Sequence, residues 1–159
     1  MVEWTPELTF SDEDVAIGHA GPVIADVWTR HVTVQALQRL QRVITERVAH
    51  APLAIVTVIE PTATVPDQVA RDMAAAFLDA VGEHIAVSAL VLEGAAMQSA
   101  AFRGVDAGFT MLGKRDYPHE AFESVSAAAE WLADHAPSRW GAGAERFESI
   151  VDDLRRRPR

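Results

Sequence analysis

Leu53-Ala54-Ile55-Val56-Thr57-Val58-Ile59-Glu60 is the stretch whose reading decides the fold. It is short, almost wholly apolar and rich in β-branched side chains, with Pro52 before it and Pro61 after it. A continuous apolar run of this length predicts a strand buried on both faces, as at the centre of a parallel sheet. A second such run, Ile85-Ala86-Val87-Ser88-Ala89-Leu90-Val91-Leu92, follows after one helix-length segment. A carboxylate ends each run, Glu60 and Glu93.

Working back from the central run, Thr33 supplies a helix N-cap, because its hydroxyl can accept from an unpaired N–H of the first turn. Behind it Val34, Leu37, Leu40, Ile44 and Val48 recur at three- and four-residue spacing, the stripe of a helix lying on a sheet. His50-Ala51-Pro52 stops that helix. Earlier still, Val15-Ala16-Ile17 and Val23-Ile24-Ala25-Asp26-Val27-Trp28 flank a His19-Ala20-Gly21-Pro22 turn and predict an antiparallel hairpin. Asp26 is the one charged residue of its run, which predicts a strand with one face partly open. Residues 1–14, with the acidic Ser11-Asp12-Glu13-Asp14, read as a lead-in.

Working forward, Pro61 to Val65 is a loop, and Pro66 suits the first turn of a helix that Asp67 favours at its positive end. That helix turns Val69, Met73, Phe77 and Val81 inward and ends near Gly82. A third helix runs from Met97 to Leu112 with Phe102, Val105 and Phe109 on one stripe, and Gly104 and Gly108 predict close approach to a neighbour. Glu120 to Glu123 is a short edge strand, Ser126 caps a further helix, and Ala136-Pro137-Ser138 breaks the chain. The last segment places Phe147, Ile150, Val151 and Leu154 on one helical stripe and ends in Arg155-Arg156-Arg157, cations suited to a helix C-terminus. Strands alternating with helices imply right-handed crossovers and an α/β fold. The expected architecture is a sheet of about five mostly parallel strands with an antiparallel edge hairpin, about four helices and a C-terminal amphipathic helix. Residues 15–136 form the domain and residues 137–159 a linker with the terminal helix.

The hairpin, the alternating helices and strands, and the closing run Phe122-Glu123-Ser124-Val125-Ser126-Ala127-Ala128-Ala129-Glu130-Trp131-Leu132 resemble the STAS family in its SpoIIAA-like branch. The resemblance covers residues 15–135. It implies a non-enzymatic role, binding a protein partner, a nucleotide or a lipid-like ligand, in some members switched by phosphorylation of a serine in an Asp-Ser-Ser-like motif. That motif falls where the central strand meets the next helix. Here the junction reads Glu60-Pro61-Thr62-Ala63-Thr64-Val65-Pro66, with the hydroxyls of Thr62 and Thr64 and no serine, so no functional residue is carried over.

Composition narrows the classes further. The chain has 159 residues, 49% hydrophobic and 23% charged, enough for one domain with its own core. A net charge of -9 argues against nucleic acid as the main partner. The absence of cysteine excludes disulfides, thiolate metal sites and cysteine nucleophiles. No apolar segment has the length of a membrane span and no signal peptide is visible, so a cytoplasmic location is expected.

Four groups of residues are candidates for function. Glu60 and Glu93 end neighbouring buried strands, where ligands of open α/β sheets gather, and paired carboxylates there can act as acid and base or hold a cation. The six histidines are dispersed without ligand spacing, and no glycine-rich phosphate loop is present, so neither a metal nor a cofactor is expected. Arg103, Lys114 and Arg115 offer positive charge. Trp28, at the end of an expected edge strand, suits an interface, and the Phe147, Ile150, Val151 and Leu154 stripe either folds back on its own domain or meets a protein partner or a second copy. The expected function is therefore a non-enzymatic interaction or regulatory module that self-associates as a homodimer, with Glu60, Thr62, Thr64, Glu93 and Trp28 as binding residues. The alternatives are a carrier of a small apolar ligand or lipid, and a small enzyme using Glu60 and Glu93.

Overall fold

The computed structural model describes residues 4–47, 52–111 and 115–157. Val48, His50, Leu112 and Lys114, named above, lie outside them. The chain opens with three strands, β1 (Glu7–Ser11), β2 (Val15–Ala20) and β3 (Val23–Trp28), followed by α1 (Val34–Arg47), β4 (Leu53–Ile59) and α2 (Gln68–Val81). Then come β5 (Ile85–Leu92), α3 (Ala96–Met111), β6 (His119–Phe122), α4 (Val125–His135) and α5 (Ala144–Arg156). The strands form a six-stranded sheet in sequential order, β1-β2-β3-β4-β5-β6. β2 is antiparallel to both of its neighbours, β1 and β3, and β3 to β6 are parallel.

Two expectations about the strands change. Residues 7–11 are an edge strand and not a lead-in, paired with β2 from Glu7–His19 to Ser11–Ala16. The acidic stretch behind it is a turn, in which the Asp12 carboxylate accepts the N–H groups of Asp14 and Val15. β3 lies between β2 and β4 and is an interior strand, buried along its whole length including Asp26. The hairpin turn forms as expected, with Gly21 at φ +54°, a conformation that suits a residue without Cβ.

The winding explains where the helices go. Each parallel crossover, β3-α1-β4, β4-α2-β5 and β5-α3-β6, steps the same way across the sheet. Right-handed crossovers made in one direction place their helices on one face. Accordingly Leu37, Leu40 and Ile44 of α1, Phe77 and Val81 of α2 and Phe102 of α3 share a core with Ile17, Ile24, Trp28, Ile55, Ile59, Leu90 and Leu92 of the sheet. The opposite face carries Ala16, Ala25, Val27, Val56, Val58, Val87 and Val91, and only α4 and α5 are left to cover it. α4 supplies Ala128, Ala129 and Leu132, while α5 lays Phe147, Ile150, Val151 and Leu154 there. The terminal helix is thus the lid of its own core. Its stripe is buried, in place of the partner interface expected for those four residues.

Gly18 marks how closely α5 sits, since a Cβ there would come within 2.7 Å of both the Glu7 carbonyl oxygen and Leu154 Cδ2. Gly104 and Gly108 do the reverse, because a Cβ at either would meet nothing within 4 Å, so they mediate no close approach. Capping follows local chemistry. The Thr33 hydroxyl accepts from Ala36 N–H at 3.1 Å, and Asp67 accepts from Ala70 N–H at 2.9 Å. Ser124, not Ser126, caps α4, accepting from Ala127 N–H at 3.1 Å.

Leu154→Ala lowers the unfolding free energy in urea by about 2–5 kcal/mol. Truncation after Pro137 bares the Ala16, Ala25 and Val27 face and removes the cooperative transition. A truncated chain that unfolds at the same urea concentration as the full one contradicts the covering role of α5.

Candidate functional site

The face beneath α1, α2 and α3 presents Ile24, Asp26 and Trp28 from β3, Ile55, Thr57 and Ile59 from β4, and Ser88, Leu90 and Leu92 from β5. One polar residue thus interrupts each of three adjacent parallel strands. Asp26 stands opposite Thr57 across β3 and β4, and Ser88 stands opposite His119 across β5 and β6. Between this floor and the helices lies a cavity of about 150 Å³. Its apolar wall comes from Trp28, Leu37 and Leu40, from Phe77 and Leu78, and from Phe102, Val105 and Phe109. Its polar lining comprises Asp26, Thr57, Ser88, Asp106, Arg115, Tyr117 and His119.

Asp26 is 0% exposed. Trp28 Nε1–H donates to its Oδ2 at 2.6 Å, the two side chains sharing a face because they are two apart in a strand. Thr57 Oγ1–H donates to Oδ1 at 3.1 Å. No cationic side chain pairs with this carboxyl among the described residues. Burial, the dominant cause, raises it from an ordinary 3.8 to about 7 against the opposing hydrogen bonds of Trp28 and Thr57.

At the other end a second network pairs its carboxylate with cationic and imidazole partners. His119 Nε2 lies 2.9 and 3.0 Å from the two Asp106 oxygens, and Arg115 Nη2 lies 2.7 Å from Asp106 Oδ1. Burial raises the Asp106 carboxyl, but the hydrogen bond and charge of His119, with those of Arg115, outweigh it and hold Asp106 below the usual carboxylate range. An ionised Asp106 only accepts, so Nε2 carries the hydrogen, and the Nδ1 of a neutral ring accepts from the Ser88 hydroxyl. A serine, histidine and aspartate in series are the parts of a nucleophile and its base. Here, however, Ser88 sits within a strand and its N–H is donated to the Pro118 carbonyl at 3.0 Å, so that amide is not an oxyanion donor. The series joins α3, β5 and β6 beside the cavity.

The residues singled out from the sequence go to different places. Trp28 is buried and lines the cavity, at 2% exposure. It is no surface anchor, because β3 lies between β2 and β4 and Trp28 faces the core under the helices. Glu60 and Glu93 do end adjacent strands, with Glu93 N–H donating to the Ile59 carbonyl at 3.1 Å. Their side chains serve separate partners. Glu60 accepts from the Thr29 hydroxyl at 2.8 Å, while Glu93 pairs with Arg155 of α5. A pocket does lie at the carboxyl ends of β3 and β4, between the loops that follow them and the starts of α1 and α2, but neither Glu60 nor Glu93 lines it. The Thr62 hydroxyl donates to the Thr29 carbonyl, and Thr64 Oγ1 lies 3.0 Å from His31 Nδ1. Both are surface ties between the β3 and β4 loops, and neither lines the cavity. Among the described residues no group of three or more His, Cys, Asp or Glu side chains could hold a metal ion, and no helix is long and apolar enough to cross a membrane.

The chain matches no protein-family model, no curated protein and no solved structure. Any functional reading therefore rests on the site's own geometry. The signal for that site was present as single polar residues, Asp26, Thr57 and Ser88, set in three otherwise apolar runs, and as Asp106 between Val105 and Phe109.

An acid whose folded-state value lies above its unfolded one holds its proton more tightly when folded. The stabilisation from Asp26 is thus full below about 4 and is lost as pH rises through about 7. Asp26→Asn keeps the shape and has nothing to ionise. Its gain in unfolding free energy over the parent at pH 8 exceeds that at pH 5 by roughly 1–3 kcal/mol. Denaturant titrations at the two pH values measure this, and an equal effect at both contradicts the burial of an ionisable Asp26.

Proposed function

We propose that this domain binds a small, largely apolar molecule in the cavity between the sheet and α1, α2 and α3, without transforming it. The observation that carries the reading is a cavity walled by aliphatic and aromatic side chains, into which a fully buried carboxyl projects. Apolar walls with a few convergent polar groups are the usual composition of small-molecule sites. The size, about 150 Å³, is that of an engineered apolar cavity that takes up one benzene ring. The STAS-like resemblance of residues 15–135 supports the same direction, since it implies a ligand-binding or regulatory role without catalysis. The interaction-module reading has less behind it, because Trp28 and the α5 stripe, its anchors, are core. The enzyme reading has less still, because Glu60 and Glu93 are committed to separate partners.

Toluene serves as a one-ring apolar probe. It binds one per chain in a calorimetric or NMR titration, and Val105→Phe, which fills the cavity from α3, weakens it at least tenfold while far-UV circular dichroism and Tm hold. Absence of toluene binding to the parent chain, or binding that Val105→Phe leaves unchanged, overturns the reading.

A further inference from the structure

Asp26, Asp106 and Arg115 face the cavity with unequal needs, and of the three only Asp26 is fully buried. Asp106 has both Arg115 and His119 as partners. Arg115 has its charge compensated by Asp106, and its Nη1 also donates to the Asp106 carbonyl at 3.1 Å, leaving only Nε without a partner. Asp26 alone has no opposite charge, although Trp28 and Thr57 donate to it. A carboxylate offers about four lone-pair sites, and two of these are used, so two remain for donors on a ligand. The aromatic side chains of Trp28, Phe77 and Phe102 line the same cavity, and aromatic rings attract cations to their faces.

We propose that the ligand is a small apolar amine, bound as its ammonium ion with Asp26 as the counter-ion and its hydrocarbon part against α1, α2 and α3. This rests on the cavity being a binding site, as above. The cavity admits about one ring, and His119 in β6 stands three strands from Asp26, roughly 14 Å at the spacing of neighbouring strands. A one-ring ligand seated on Asp26 therefore does not reach the Arg115 Nε–H. An ammonium ion supplies the charge that Asp26 lacks, and the carboxyl supplies the desolvated cation with a partner, so each offsets the other's burial. Binding then needs Asp26 ionised and the amine protonated. The groups facing the cavity that titrate or carry charge are Asp26 on β3, Asp106 on α3, Arg115 and Tyr117 before β6, and His119 on β6. Among its lining residues α1 and α2 contribute none. Asp106 stays ionised against Arg115 and His119, and burial pushes the Tyr117 phenol up, leaving Asp26 as the group that governs the pH response.

Four probes of nearly equal size separate the outcomes: benzylamine, benzyl alcohol, toluene and benzoate. The readout is the Trp28 indole N–H resonance, whose hydrogen is shared with Asp26. The expected result is benzylamine binding at least tenfold tighter than benzyl alcohol or toluene at pH 8. Its affinity falls roughly tenfold at pH 6, as Asp26 takes up its proton with a midpoint of about 7. Asp26→Asn removes the preference for benzylamine and its pH dependence, and the wild-type pH profile decides the matter should that variant fold poorly. Toluene and benzyl alcohol binding as well as benzylamine, or benzoate binding tightest, overturns the amine and leaves the binding site standing. No response to any of the four overturns both.

Discussion

Three right-handed crossovers taken in one direction oblige α1, α2 and α3 to share one face of the sheet, and most of this molecule follows from that constraint. The other face would be bare over β2 and β3, so the chain returns twice, with α4 and then α5, to close it. Space is left between the sheet and the three helices, where Phe102 is the only buried side chain of α3. A helix that commits so little of itself to the core leaves the gap that becomes the cavity.

Within that gap the dominant cost is electrostatic. A carboxyl taken wholly out of water without a cation costs several kcal/mol when ionised, and two neutral donors recover only part of it. An apolar side chain at the centre of β3 would pack with Ile24 and Ile55 and cost nothing of the kind. Asp26 is therefore a residue whose retention is unfavourable to stability, and departures of that kind concentrate at functional sites. The Asp106, Arg115 and His119 cluster makes the contrast, since there a partly buried carboxylate is compensated by opposite charge.

The strands β3, β4 and β5 and helices α1, α2 and α5 were legible in the sequence because their apolar residues follow a single period with punctuation at both ends. β1 was not, since Leu8 and Phe10 sit among charged and hydroxyl residues, and its place depends on β2 offering a free edge. The reading of Asp26 and Trp28 turned instead on β3 being flanked by β2 and β4 and covered by the helices of its own face. The α5 stripe was visible as a stripe, but nothing in its pattern says whether it covers its own sheet or another chain. Long-range topology decides that. The candidate site was legible only as polar residues out of place. Its assembly depends on strand register, which puts Asp26 beside Thr57 and Ser88 beside His119. Glu60 and Glu93, the pair the pattern favoured, owe their separation to Thr29 and Arg155, both remote in sequence from the carboxylate each engages.

The central claim is that Asp26 is a buried carboxyl without a counter-ion, and its own titration tests this most directly. Following the Asp26 side-chain carboxyl carbon by ¹³C NMR from pH 3 to pH 9 should give a midpoint near 7, with the Trp28 indole N–H moving over the same range. A midpoint near 4, with the indole resonance indifferent to pH, would mean that Asp26 is solvated or paired in solution, and would contradict the account.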